Sequence, residues 1–129
     1  MWPNYFPDDC PPEDAKEKNI CVYRLVNHNP PTSEDFLSTY ELQPGRRFNN
    51  LSLACGISCY TDYEQAVQQN ELLSKSTYFI RKNLPKMKLA KGHTDPRCGV
   101  VKETPASFPS HVTYWLRKNV SVEHHFEVI

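Results

Sequence analysis

Residues 20–26 read Ile-Cys-Val-Tyr-Arg-Leu-Val, the clearest strand pattern in the chain. β-branched and aromatic side chains in such a run are typical of strands, and the following Asn-His-Asn-Pro-Pro at 27–31 ends it. Because the side chains on both faces are apolar, we expect a central strand that is covered on both sides. Arg24 is the only charged residue in it.

A second strand and two helices are predicted around this one. Residues 51–60 are apolar or small, and they predict a strand that runs directly into Thr-Asp-Tyr-Glu at 61–64. A hydroxyl followed three residues later by a carboxylate is a capping box, so a helix should begin at Thr61. Residues 32–35 carry the same pattern and predict an earlier helix over 32–40.

The second half of the chain predicts mainly strands. Residues 87–91 and 98–102 fit a pair of partnered strands, and residues 111–116 and 124–129 fit two more. Residues 78–80 fit either a helix or a strand. Without an alternating strand–helix rhythm, the pattern indicates an α+β fold, a single compact domain with a mixed or mainly antiparallel sheet and two or three helices.

The N-terminal segment differs in composition from the rest. Residues 1–19 are rich in Pro and Asp and contain the aromatic residues Trp2, Tyr5 and Phe6. We expect an irregular N-terminal arm packed on a single α+β domain that spans residues 20–129. The first ten residues have neither a basic start nor an apolar segment, which predicts no signal peptide and a cytoplasmic location.

Charge and cysteine content narrow the class of protein. Fifteen basic and fifteen acidic side chains cancel, and this charge balance argues against a dedicated nucleic-acid-binding role. No apolar run is long enough to cross a bilayer, so no membrane partner is expected. The five cysteines are odd in number and irregular in spacing, which predicts reduced thiols.

Arg24 is the first candidate functional residue. An obligate cation in a strand of core residues needs an anion or access to solvent. One interpretation is a guanidinium that binds a phosphate or carboxylate of a ligand. The other is a structural ion pair with an Asp or Glu of the chain.

Further candidates lie where strands present polar groups. Ser58 and Thr61 flank the predicted strand-to-helix junction, where hydroxyls and free N–H groups hold phosphates or, more simply, cap the helix. His111, Thr113 and Trp115 share one face of a strand and fit either a pocket wall or an amphipathic packing surface. No set of ligands is compact enough in sequence to predict a metal site.

Two resemblances follow from these residues. Over nearly its whole length the chain resembles a group of small uncharacterised bacterial proteins, which implies no activity. The shared pattern, as it stands here, includes Cys-Pro-Pro-Glu-Asp-Ala at 10–15, Val-Tyr-Arg-Leu-Val at 22–26, Cys-Gly-Ile-Ser at 55–58, His-x-Thr-x-Trp at 111–115 and Phe-Glu-Val at 126–128.

The second resemblance is to ADP-ribosyltransferases of the Arg–Ser–Glu type. The residues that carry it are Arg24, Ser58 and Glu127, in that order along the chain. The resemblance implies that Arg24 holds the phosphates of NAD, Ser58 supports the nicotinamide pocket and Glu127 is the catalytic carboxylate. It further implies NAD as a substrate, with no permanently bound cofactor. The remaining pocket residues would be Tyr60, Thr61, His111 and Trp115.

An alternative function belongs to another class. A near-neutral charge and an aromatic arm suit a non-enzymatic accessory or immunity-type protein that binds a partner protein. The two hypotheses differ in what they require of the fold. A nucleotide-binding enzyme needs Arg24, Ser58 and Glu127 within reach of one ligand, whereas a partner-binding protein needs an exposed apolar surface.

Overall fold

Strand β1 (Cys21–Val26) forms where the sequence predicts the central strand, and the computed structural model describes all residues from 1 to 129 around it. The chain forms the predicted α+β fold with one antiparallel sheet. The other strands are β2 (Ile57–Tyr60), β3 (Lys88–His93), β4 (Gly99–Glu103), β5 (His111–Leu116) and β6 (Phe126–Val128). The helices are α1 (Thr39–Leu42), α2 (Leu51–Ala54), α3 (Tyr63–Ser74) and α4 (Thr77–Lys82), with 3₁₀ turns at Ser33–Phe36 and Glu123–His125.

The sheet has the order β4-β5-β2-β1-β3-β6, and every neighbouring pair is antiparallel. Strands β1 and β3 pair along their whole length, from Cys21 opposite His93 to Val26 opposite Lys88. Strands β1 and β2 are aligned at a single position, Tyr23 opposite Tyr60. The sheet therefore opens between its two central strands, and we call this opening the split.

The two faces of the sheet carry different side chains because successive residues of a strand alternate. One face holds the main hydrophobic core, in which the buried members of the central strands are Val22, Val26, Ile57, Cys59, Val112 and Tyr114. Each fully buried side chain of this size contributes roughly 1.5–3 kcal/mol. The opposite face carries Ser58, Tyr60, His111 and Thr113. Helix α3 lies on this second face, where Tyr63 meets Tyr23 edge to face at 5.7 Å.

The arm, residues 1–19, is irregular and covers the other part of the second face. The Lys16 N–H donates to the Val101 carbonyl at 2.9 Å, and the Val101 N–H donates back at 2.7 Å. The Tyr5 ring stacks on Tyr40 with centroids 4.6 Å apart. The arm contributes Cys10 and Ala15 to a second buried cluster around Trp115. None of the helices combines the length and the apolar composition that crossing a bilayer requires.

Two predicted elements are wrong in part. Residues 51–60 are not one strand, because Asn50 Oδ1 accepts the Leu53 N–H at 3.1 Å and caps the single turn α2 before β2 begins. Residues 32–40 are not one helix, because the backbone becomes extended at Leu37. Ser38 then opens a new capping box with Glu41 and starts α1.

Three further predictions differ from the structure. Helix α3 is capped by Asp62 rather than Thr61, since Asp62 Oδ2 accepts the Gln65 N–H at 3.0 Å. Strands β3 and β4 are not partners: β3 lies between β1 and β6, and β4 is an edge strand beside β5. The last strand begins only at residue 126, because residues 123–125 form a 3₁₀ turn. Residues 78–80, which fitted either element, lie in α4.

Candidate functional site

The split contains a cavity of about 360 Å³ that reaches both of its strands. Arg24 lines it from β1, Ser58 and Tyr60 from β2, and Gln69 from α3. Leucine and methionine side chains supply the apolar part of the wall. The opening of the sheet thus places polar groups from three elements around one space.

Two more cavities adjoin the split through shared lining residues. One, of about 260 Å³, shares Ser58, Tyr60 and Gln69 with it. The other, of about 570 Å³, shares Ser58 and His111 with the 260 Å³ cavity. All three meet at Ser58, and we call them together the Ser58 cleft. Three adjoining spaces suit a ligand with several linked groups, and each has a volume near or within the usual range for ligand sites.

Arg24 bridges the split through two backbone oxygens. Its Nη1 donates to the Ser58 carbonyl at 2.6 Å and its Nε to the Asp35 carbonyl at 2.9 Å. The guanidinium also lies over the Phe36 ring, with 5.5 Å between its central carbon and the ring centroid. The structural ion pair considered for Arg24 is not formed, because its partner at residue 35 is the carbonyl rather than the carboxylate.

The surroundings of Arg24 favour an added anion. Burial lowers the pKa of Arg24 from its usual value, and the nearby Cys59, Asp35 and Tyr60 groups only partly oppose this shift. The Asp35 carboxylate is itself occupied by the backbone N–H groups of Asn27 and Thr32, at 2.7 and 2.9 Å. The guanidinium therefore has no direct carboxylate partner, and its Nη2 makes no hydrogen bond within the protein.

Ser58, Tyr60 and Gln69 present unused polar groups to the cleft. The Ser58 side chain is exposed, and its Oγ makes no hydrogen bond to another residue. The Tyr60 hydroxyl and the Gln69 amide are likewise unpaired within the protein, and neither is sealed from solvent. Polar groups of this kind remain free to bind a ligand without breaking existing bonds.

His111 is fixed in one tautomer at the far part of the cleft. Its Nδ1 lies 3.0 Å from the Thr104 carbonyl, which can only accept, so Nδ1 carries the proton. Thr104 Oγ1 links the same nitrogen, at 2.9 Å, to Thr113 Oγ1, at 2.7 Å. Burial lowers the pKa of His111, outweighing the hydrogen bond to Thr104. The ring is thus neutral at pH 7, with the lone pair of Nε2 free.

Trp115 and Thr61 have structural contacts. Trp115 is fully buried, and its indole Nε1 donates to the Ser52 carbonyl at 2.8 Å. It borders the 570 Å³ cavity but offers no free ring face for stacking. Thr61 lines none of the cavities, and its N–H donates to the Ser110 carbonyl at 3.1 Å.

Glu127 is separated from the other two residues of the Arg–Ser–Glu set. It lies on the edge strand β6 opposite Lys91, with β3 between it and β1. Its side chain is exposed and lines none of the three cavities. No carboxylate lines the split or the 260 Å³ cavity, whereas Asp9 and Glu103 line the widest one. The fold brings Arg24 and Ser58 together and leaves Glu127 apart.

Gln69, Thr104 and Lys102 are cleft residues that the sequence analysis missed. Gln69 lies on α3 between the buried residues Ala66 and Asn70. A glutamine on the helix face that packs against the sheet was the signal in the sequence that could have identified it. Lys102 lines the widest cavity and forms an ion pair with Asp14 of the arm at 3.1 Å. No sequence pattern indicated Thr104, which is identified as a cleft residue by its hydrogen bonds to His111.

No protein-family model, no curated protein and no solved structure matches this chain.

Proposed function

We propose that the chain binds a nucleotide of the NAD class in the Ser58 cleft. The observation that supports this most directly is the meeting of three cavities at Ser58, with Arg24 in one and the neutral His111 in the other two. A dinucleotide is an elongated anion with polar bases at its ends. The cleft joins three cavities, with Arg24 in one and Lys102 in another, and uncharged polar groups line the shared walls.

The cations suit the phosphates of such a ligand. Arg24 keeps Nη2 free while its other nitrogens are held by two carbonyls, so it is oriented before a ligand arrives. Lys102 stands in the widest cavity, where its only ionic partner is the largely exposed Asp14. Charge-assisted hydrogen bonds to phosphate oxygens are roughly twice as strong as neutral ones, and this favours a phosphorylated ligand over an uncharged one.

The neutral groups suit a base or a carboxamide. Gln69 supplies both a donor and an acceptor, Ser58 and Tyr60 supply hydroxyls, and His111 supplies an acceptor at Nε2. The two hydroxyls, the Gln69 amide and His111 Nε2 make no hydrogen bond within the protein. Binding therefore incurs no loss of existing hydrogen bonds at these four positions.

Transfer of ADP-ribose is a separate step with its own requirement. An oxocarbenium-like sugar needs a carboxylate close to it, and the resemblance assigns that role to Glu127. Glu127 lies on β6, outside the cleft. The proposed function is therefore binding of the nucleotide, without transfer of ADP-ribose. The catalytic role of Glu127 is a further hypothesis that turnover measurements decide.

The test is calorimetric titration of the full chain with NAD, using ATP and ADP-ribose for comparison. We expect binding by the unaltered chain and weaker binding by Gln69→Ala. The matched control is Gln68→Ala, which removes an exposed neighbouring amide that lines none of the cavities. At a hundred times its dissociation constant, the ligand should also stabilise the fold by about 2.7 kcal/mol in thermal unfolding. No binding at millimolar NAD would overturn the proposal.

A second candidate, binding of a partner protein, is favoured by exposed apolar side chains in one stretch of the chain. Tyr78 and Ile80 are exposed on α4, Leu72 is exposed near the end of α3 and Leu84 just after α4, and the cations Arg81 and Lys82 belong to the same stretch. Exposed apolar side chains interspersed with cations suit an acidic partner. The aromatic residues of the arm, by contrast, are half-buried against Tyr40 and Trp115. Ile80→Asp should abolish co-purification with such a partner and leave NAD binding unchanged.

A further inference from the structure

Three potential metal ligands meet at a corner of the fold away from the Ser58 cleft. Asp95 and Cys98 belong to the connection between β3 and β4, and His125 ends the 3₁₀ turn before β6. One ligand atom from each lies within 4.8 Å of the others. None of the three lines any of the cavities of the cleft.

A tight turn fixes two of the ligands. The Cys98 N–H donates to the Asp95 carbonyl at 2.9 Å, which closes a turn with Pro96 at its second position. The Asp95 N–H donates to the buried Tyr114 hydroxyl at 3.1 Å, so the turn is anchored to β5. Two ligands separated by two residues on one turn is the spacing that structural zinc sites repeatedly use.

His125 brings an atom that the protein leaves unsatisfied. Its Nδ1 is sealed from solvent and has no hydrogen-bond partner. A buried nitrogen without a hydrogen-bond partner is destabilising, so its presence calls for an explanation. The His125 ring stacks on His93 with centroids 4.8 Å apart, which holds its plane in place.

We propose that Asp95, Cys98 and His125 form a binding site for a divalent transition-metal ion of the zinc class. A thiolate, an imidazole and a carboxylate are the ligand types that zinc combines in proteins. Bonds of roughly 2.0–2.3 Å bring tetrahedral ligand atoms to roughly 3.3–3.8 Å from one another, so side-chain shifts of about an ångström close the site. On binding, the Cys98 S–H proton is released to solvent, the sulfur, the imidazole nitrogen and a carboxylate oxygen form the metal bonds, and each of the three displaces a water from the hydrated ion.

The proposed site leaves a position for a fourth metal ligand, and a neighbouring side chain competes with the metal for one of the three protein ligands. A water molecule would complete the tetrahedron, since the site has three protein ligands. Arg97 competes for Asp95, because its Nε and Nη2 bind the two carboxylate oxygens at 3.1 and 2.8 Å. The Arg97 side chain is 87% exposed, so it can swing away when the ion arrives.

The test uses the purified full chain, stripped of metal with a chelator and titrated with Zn²⁺ and with Co²⁺. We expect one ion per chain and, for Co²⁺, the near-ultraviolet band that marks a thiolate ligand. Cys98→Ser and His125→Gln should each weaken zinc binding roughly a hundredfold and remove or alter that band. The matched controls are Cys21→Ser and His28→Gln, which remove an exposed thiol and an exposed imidazole that do not belong to the three-ligand group.

Arg97→Gln gives a second measurement, and because the Arg97 side chain is exposed, the substitution should leave the fold intact. Removing the competitor should tighten zinc binding several-fold. The proposal is overturned if the chain binds no Co²⁺ through a thiolate, if the control variants lose as much affinity as Cys98→Ser and His125→Gln, or if Arg97→Gln weakens binding. Circular dichroism of each variant separates loss of the site from loss of the fold.

Discussion

Arg24 Nη1 lies 2.6 Å from the carbonyl oxygen of Ser58, across the gap where β1 and β2 cease to pair. In a closed sheet a backbone N–H of the neighbouring strand would occupy this position. The guanidinium replaces that donor and holds the two strands at a fixed separation. The same side chain therefore keeps the split open and supplies the cation within it.

Replacing Arg24 by Met should lower the free energy of unfolding by about 2–4 kcal/mol. The change removes charge-assisted hydrogen bonds to the carbonyls of Ser58 and Asp35 and leaves both oxygens without their donor. Urea denaturation measures the loss. Arg24→Lys keeps the charge but cannot reach both carbonyls, so it should lose less stability while still weakening NAD binding. Equal stability of Arg24→Met and the unaltered chain would show that the bridge does not hold the split.

Ser58→Ala should weaken NAD binding about fivefold and leave stability within about 0.5 kcal/mol. The Ser58 hydroxyl is exposed and unpaired, so its loss leaves no buried group unsatisfied. A lost neutral hydrogen bond to a ligand corresponds to about 1 kcal/mol. Calorimetry and thermal unfolding of the same sample separate the two effects. Binding that stays unchanged would place the ligand away from the point where the cavities meet.

Asp35 should make stability sensitive to acid. Burial raises the pKa of this carboxyl, but hydrogen bonds from the N–H groups of Thr32 and Asn27, and from His28, outweigh it, so the pKa is below its usual 3.8. Because the folded pKa is depressed, the contribution of Asp35 is complete above about pH 3.8 and is lost as the pH falls through the folded value.

Asp35→Asn measures this contribution. The variant should lose about 1.5–3 kcal/mol near pH 7, because an amide replaces a carboxylate that accepts at 2.7 and 2.9 Å from two backbone N–H groups. Its unfolding free energy should fall less than that of the unaltered chain as the pH is lowered below about 3.8. Urea curves at several pH values give both quantities, and parallel pH profiles would contradict the assignment.

Gly56→Ala should destabilise the fold by roughly 1–3 kcal/mol. A Cβ at this position would overlap Thr113 Cγ2 and lie 3.1 Å from Trp115 Nε1, and both neighbours are held in the sheet. Gly45→Ala is the matched control, since nothing lies within 4 Å of a Cβ there. The control should be neutral or slightly stabilising in thermal unfolding.

Strands that are mostly apolar along their length could be predicted from the sequence. Elements whose type depends on a single polar capping residue could not. Residues 20–26 and 111–116 were assigned correctly because β-branched and aromatic side chains dominate them. The run 51–60 is equally apolar, yet Asn50 caps a helical turn inside it, and a short apolar run does not distinguish the two structures. Strand order was not predictable either, because residues distant in sequence set the pairing.

The same limit applies to the sites. Arg24 and Ser58 were identified as an unusual cation and a junction hydroxyl, but only the split explains why one bonds to the other. His93 and Cys98 are five positions apart, and that spacing alone does not predict a metal site. His125, 27 positions after Cys98, joins Asp95 and Cys98 only because β6 returns beside β3. Ligand sets assembled across a sheet leave no local spacing to detect.

Glu127→Gln should leave both NAD affinity and stability essentially unchanged. Glu127 is exposed on the edge strand, and two strands, β3 and β1, separate it from Ser58 on β2. A charge at that distance across solvent is largely screened at physiological ionic strength. Calorimetry with NAD tests the affinity, and release of nicotinamide tests turnover. Loss of turnover with intact binding would support the catalytic role that the resemblance implies, whereas a loss of affinity would mean that the ligand extends over β1 and β3 to the sheet edge.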